Sequence, residues 1–194
     1  MLTAFRGDEQ AKILMRNFVF KFVPCLNPDG VYRGYYRHDT HNQNLNRFYR
    51  NPDPKLQPTI HAVKNLINHE SYEGKLAFYF DLHAHAVKKG CFLLANDIND
   101  QSGKIDTMAF ARLMSLNCLN FDYVECSFGS FDDADKDGSG RVAIGRETGL
   151  PHCYTVECNY QTGRRVNHLT PMVDKKTGLR VQDSPLSDIH SKYY

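Results

Sequence analysis

Four short apolar runs alternate with segments of helical periodicity, and this alternation restricts what the chain can fold into more than any other feature of it. FVFKFVP (18–24) is a buried-strand pattern stopped by Pro24, and NPDG (27–30) supplies turn residues in order. PTIHAVKNLINHE (58–70) puts Pro58 in the first turn of a helix with Ile60, Val63, Leu66 and Ile67 on one side. Strand patterns follow at 75–82 and 90–95. Residues 103–117 repeat Ile105, Met108, Ala109, Leu113 and Leu116 along one helical face. GRVAIGRETG (140–149) fits a short helix closed by Gly149, and PHCYTVECN (151–159) a last buried strand. Strands alternating with amphipathic helices predict an α/β sheet with helices on its faces. Beyond Tyr160 periodic apolar residues become scarce, so the reading is a folded domain over 1–160 and a loop-rich tail over 161–194.

With 194 residues, 41% of them apolar, the chain can bury one core without disulfide staples. A formal net charge of +2 gives no global field to draw nucleic acid or a membrane surface. No apolar run reaches the length of a membrane span, and MLTAFRGDEQAKILMRN has an acidic pair in place of a signal-peptide core. A cytosolic or nuclear location is the expectation. The six cysteines, Cys25, Cys91, Cys118, Cys126, Cys153 and Cys158, form no CxxC, and the reading is free thiols in or near the core.

In α/β sheets ligands bind beyond the carboxyl ends of the strands. By that rule the candidates are the loop after NPDG, the histidines of YFDLHAHAVKKG (79–90), and Glu157. In a strand His83 and His85 share a face with Tyr79 and Asp81, while Leu76, Phe78, Phe80 and Leu82 take the other. The pair is either part of a metal site or two ordinary polar residues. RGYYRHDTHNQNLNRFYR (33–50) gathers Arg37, Asn44, Asn46, Arg47 and Arg50 among aromatics. That mixture suits a carboxylate, which guanidinium grips in a fork; a solvated loop, or a phosphate or RNA contact, are the alternatives. Glu157 sits in an apolar strand, where it either pairs with an arginine or stands ready as a base or ligand. DADKDGSG (133–140) imitates a calcium loop but has Ile144 where the bidentate glutamate belongs, and is read as a flexible loop.

FVFKFVPCLNPDGV, YYRHDTHNQNLNR, YFDLHAHAVKKGCF, GSGRVAI and YTVECNYQTGR, in this order, resemble the cytosolic carboxypeptidases, intracellular zinc metallocarboxypeptidases that remove glutamates from tubulin tails. The resemblance is greatest to the branch that cleaves branch-point glutamates. It implies a partial zinc-carboxypeptidase domain with a mixed, mostly parallel sheet. It further implies His83 as a ligand of one zinc ion and Glu157 as general base and acid. Arg37 would hold the scissile carbonyl, Asn46 and Arg47 the substrate's free carboxylate, and Arg141 would lie in the specificity pocket. His85 would be a neighbour in the cavity, not a ligand. The implied partner is a polyglutamylated protein such as tubulin, with no nucleic acid or membrane, and the implied location is cytoplasmic, with microtubule association or the nucleus also open.

In the resemblance the other two zinc ligands come from a His-x-x-Glu, and none of the nine histidines here has a glutamate three residues on. The expectation is therefore an N-terminally truncated domain that alone binds zinc weakly, because a catalytic zinc site takes three protein ligands. A binder of acidic tails that does not cleave them is the competing reading.

Overall fold

The structure, a computed structural model, describes residues 9–98, 100–129, 137–161, 163, 166, 167 and 177. The chain divides into two compact units: Cys25–Asn167, and a second made of Met1–Pro24 with His168–Tyr194. In the second unit helix α1 (Glu9–Asn17) carries Glu9 in its first turn and Arg16 in its last, each matching the end of the helix dipole it faces. FVFKFVP, expected as a buried strand, is not one: it belongs to no strand, and Val19 is 86% exposed. Apolar alternation alone does not make a strand; a ladder with a neighbour is also needed, and among the described residues this segment forms none.

The larger unit holds α2 (Pro28–Tyr32), α3 (Pro58–Tyr72), β1 (Tyr79–His85), β2 (Cys91–Asn96), α4 (Gln101–Asn117), β3 (Ser127–Gly129), α5 (Gly140–Thr148) and β4 (Cys153–Asn159). The strands form one mixed sheet in the order β1-β4-β2-β3. β1 pairs β4 in parallel, β2 pairs β3 in parallel, and β2 pairs β4 antiparallel, so the expected mixed, mostly parallel sheet is present.

Register divides the side chains between two faces. Tyr79, Asp81 and His83 lie opposite Cys153, Thr155 and Glu157 on the first face. There a core of Tyr49, Ile60, Ile67, Ala143, Ile144 and Cys153 forms beneath α3 and α5. On the second face Leu93, Ala95 and Tyr154 pack with Ala111 of α4 and with Phe121. Helices thus cover both faces.

Several expectations need correction. NPDG is not a bare turn but the start of α2, capped by Asn27, whose side chain accepts from Gly30 N at 3.1 Å. The strand expected at 75–82 starts later and runs through His85, because pairing with β4 continues to Asn159. α4 forms where expected but buries another face. Gly103, Thr107, Ala111 and Ser115 are buried, whereas Ile105, Met108, Leu113 and Leu116 are each about half exposed. Small residues at every fourth position let the helix come close to the sheet, with Phe110 and Met114 filling the flanks. Cys25 and Cys158 are exposed, not core residues. β3 was not legible in its polar surroundings. Asp133 and Asp135 of the calcium-like loop, and most of 161–194, lie outside the described residues. Asn167 is described, and its amide donates to Cys118 O and Phe121 O, at 2.8 and 2.7 Å.

Candidate active site

The loop after α2 is pinned by its own polar residues. Asp39 Oδ1 accepts from His41 N and Gln43 N at 2.9 and 2.8 Å, and Asn27 Nδ2 donates to His38 O at 3.0 Å. Asn44 Oδ1 then accepts from Asn46 N at 3.2 Å and opens a single 3-10 turn, Leu45–Arg47. Leu45 and Tyr49 pack into the core on the first face, so Asn46 and Arg47 are presented from an anchored turn.

Asn46 reaches α5. Its Oδ1 accepts from Gly140 N at 2.8 Å, supplying a cap that the helix's own Ser139 does not provide. With the amide oxygen engaged, Nδ2 is the group left to donate to a ligand. Arg47 is exposed, and its Nη1 donates to Asn46 O at 2.7 Å. Gly140 lies close against β1: a Cβ there would be 2.6 Å from Tyr79 Oη and 3.2 Å from Asp81 Oδ2. Only glycine lets the helix start so near these groups.

Asp81 Oδ2 in turn lies 3.0 Å from His83 Nε2. The other ring nitrogen, Nδ1, lies 3.7 Å from Oε1 of Glu157, the residue directly across the β1·β4 ladder. His83 is pushed above the ordinary histidine range, first by its hydrogen bond to Asp81 and further by the charges of Asp81 and Glu157, against the effects of burial and Arg37. The hydroxyls of Tyr49 and Tyr79 bond each other; burial, and then the Asp81 charge, raise both phenols, which therefore remain protonated. Glu157 is 7% exposed, and its Oε2 has no hydrogen-bond partner among the described residues.

Arg37 is exposed. It acts electrostatically on His83 and also on Tyr160, whose hydroxyl bonds Tyr36 and which feels Glu157 as well. His83 and Glu157 thus face each other on the sheet's first face, Asn46 is tied to Gly140 beside Asp81, and Arg37 is near enough to act electrostatically on His83. Arg141 is placed differently. It is buried in α5, where Nη1 donates to Ala95 O at 2.9 Å and to Asn96 Oδ1, while Asn96 Nδ2 donates back to Arg141 O at 3.1 Å. The scaffold thus fixes this cation against the end of β2. His85 organises the turn after β1: its Nδ1 accepts from Val87 N and Lys88 N at 3.2 and 2.8 Å.

Sequence reasoning gave no role to Asp81 or Tyr160. The signal for Asp81 was its position two residues before His83 on the same face. A carboxylate on one ring nitrogen fixes the tautomer and leaves the other nitrogen as a ligand, an arrangement common around zinc. His83 Nδ1 and the orphaned Glu157 oxygen suit the edge of a metal centre. They do not complete one: among the described residues no group of three or more His, Cys, Asp and Glu is placed to hold a metal.

The family model for zinc carboxypeptidase matches residues 1–88, which include Arg37, Asn46, Arg47 and His83. Cytosolic carboxypeptidase-like protein 5 of Danio rerio is 31% identical over 84% of this chain and 30% of its own length. Cytosolic carboxypeptidase 6 of Mus musculus is 37% identical over 77% of this chain and 28% of its own. The chain thus spans about a third of the length of these relatives. A metallo-carboxypeptidase from Burkholderia cenocepacia has the same fold, with a TM-score of 0.69 at 23% identity over 86% of this chain and 41% of that one. The sheet, the ordered motifs and these similarities lead to one assignment: the chain belongs to the cytosolic carboxypeptidase family of zinc carboxypeptidases.

Proposed function

We propose that this chain carries the substrate-side half of a metallocarboxypeptidase site that removes C-terminal or side-chain-linked glutamates from polyglutamylated proteins, tubulin among them, in the cytoplasm. Asn46 Nδ2 and the Arg47 guanidinium grip the free carboxylate, which an internal peptide lacks. Arg37 holds the scissile carbonyl oxygen as charge develops on it. Glu157 takes a proton from the attacking water and returns it to the leaving amine. Arg141, held by Ala95 O and Asn96 Oδ1, would act on an acidic side chain of the substrate through its charge alone and not by direct contact. His83 supplies one ligand of a single zinc ion; the other two, a His-x-x-Glu by family pattern, are not in this sequence.

The observation that carries the reading is the 3.7 Å approach of His83 Nδ1 to Glu157 Oε1, with Asp81 on the far side of the ring. The lack of a three-ligand group among the described residues favours a second reading for the chain by itself: recognition of acidic tails without cleavage. Both are tested by mixing the chain, with zinc added, with a peptide ending in two glutamates, then measuring binding by fluorescence anisotropy and glutamate release by mass spectrometry. Release that Glu157→Gln abolishes supports hydrolysis. Binding of the free-acid peptide alone supports recognition, and binding of neither the free-acid nor the amidated peptide refutes both.

A further inference from the structure

Cys91 and Cys158 face each other across the antiparallel β2·β4 ladder on the sheet face opposite Glu157, with their sulfurs 3.2 Å apart. Asn159 N donates to Gly90 O, so the neighbouring Cys91–Cys158 pair is one of the positions without mutual backbone bonds. Cys91 N and Cys91 O point the other way, bonding Asn120 O and Asp122 N. At such positions the Cα atoms lie about 4.5 Å apart, at the short end of what a disulfide spans, and the side chains are at their closest. Joining the sulfurs takes a closure of roughly 1 Å by side-chain rotation, with no slip of register.

The two thiols differ in setting. Cys158 is exposed and Cys91 is half-buried. Their shared hydrogen bond, outweighing the effects of burial and Glu157, lowers Cys158 to about 7. Cys126, also on this side of the sheet, has its sulfur engaged with Leu93 N at 3.3 Å and Asp122 O at 3.5 Å.

We propose that Cys91 and Cys158 form a peroxide-reactive dithiol that closes reversibly to a cross-strand disulfide behind the candidate active site. The Cys158 thiolate attacks a peroxide oxygen; an S–O bond forms, the O–O bond breaks, and hydroxide leaves. The Cys91 sulfur then attacks the Cys158 sulfur; the S–S bond forms, the S–O bond breaks, and water departs with the Cys91 proton. In total the two thiols lose two electrons and two protons, and hydrogen peroxide becomes two waters. The short strand spacing makes the bond readily reducible, as regulatory disulfides are. Once closed, the bond fixes β4 to β2 one residue beyond Glu157, independently of whether Glu157 acts in hydrolysis.

The test is to treat the native chain with substoichiometric hydrogen peroxide, block remaining thiols with N-ethylmaleimide, digest without reductant and analyse by mass spectrometry. The expected result is a dominant Cys91–Cys158 linked peptide that lacks two hydrogens, returns to free thiols with dithiothreitol, and loses its dominance when oxidation is done in urea. In Cys91→Ser, dimedone should trap sulfenic acid on Cys158. The proposal is overturned if Cys158 is recovered alkylated while exposed Cys25 is oxidised, if a link to Cys118 or Cys126 dominates, or if Cys158 passes to sulfinic acid unlinked.

Discussion

Replacing Glu157 by glutamine should stabilise the metal-free chain while removing its proposed catalysis. The side chain is 7% exposed, and Oε2 has no hydrogen-bond partner among the described residues. A buried polar atom left unsatisfied costs about 1–3 kcal/mol, and more when charged. Glutamine keeps the shape and removes the charge, so a gain of about 1–2 kcal/mol is expected, since its amide still has to find partners. For a chain of this size that is about 2–4 °C in Tm per kcal/mol. The gain depends on pH, because Glu157 also faces His83 at 3.7 Å. His83 is raised in the folded chain by Asp81 first and by Glu157 in part. Its contribution is therefore fully present below the unfolded value of about 6.5 and is lost as pH rises through the folded value. The benefit of Glu157→Gln should accordingly be largest at alkaline pH, where no imidazolium remains to attract the carboxylate, and should shrink toward pH 5.5 or thereabouts. Urea unfolding followed by circular dichroism at the two pH values measures both. A variant less stable than the parent by more than about 1 kcal/mol at alkaline pH would show the carboxylate to be a structural partner, and the reasoning would fail.

Three further substitutions probe the supports. Asp81→Asn removes the first cause of the raised His83 pKa, so the imidazole resonances should titrate at lower pH than in the parent; an unchanged midpoint in NMR would dismiss Asp81 as the group that orients the ring. Gly140→Ala places a Cβ 2.6 Å from Tyr79 Oη and should cost about 1–3 kcal/mol in chemical denaturation, and a neutral result would mean that α5 does not sit so close to β1. Arg47→Ala should weaken binding of a free C-terminal carboxylate by about 1.5–3 kcal/mol, roughly 10- to 150-fold, without changing binding of the amidated peptide; equal loss for both would reject the clamp.

The parts of this fold that were legible in the sequence are those specified by local signals. α3 begins at Pro58, α5 ends at Gly149 in the left-handed region with φ 67°, and β4 is an apolar run bounded by Pro151 and Asn159. What failed depended on partners far along the chain. FVFKFVP has strand chemistry but forms no strand ladder among the described residues. α4 turned its small residues inward because the sheet rewards close approach, which the spacing of its large apolar residues does not reveal. The site followed the same division. His83 and Glu157 were singled out as candidates from residue type and strand context, and β1·β4 register brings them face to face. Asn46 was identified as a carboxylate donor, yet its oxygen caps a helix 94 residues away, a link that no local pattern encodes. Arg141 carries a similar long-range tie to Asn96. The Cys91–Cys158 pairing likewise needs the strand register, since the two residues are 67 apart in sequence.

The central claim is that the carboxylate clamp of Asn46 and Arg47 and the ring of His83 belong to one site, joined through Gly140 and Asp81. It is tested most directly by following the histidine ring signals in NMR while titrating the chain with a short peptide ending in glutamate. The account predicts that His83 shifts saturably with the free-acid peptide, stays unmoved with its amidated form, and loses the response in Arg47→Ala. A peptide that binds and shifts His61 or His152 while leaving His83 still would contradict it.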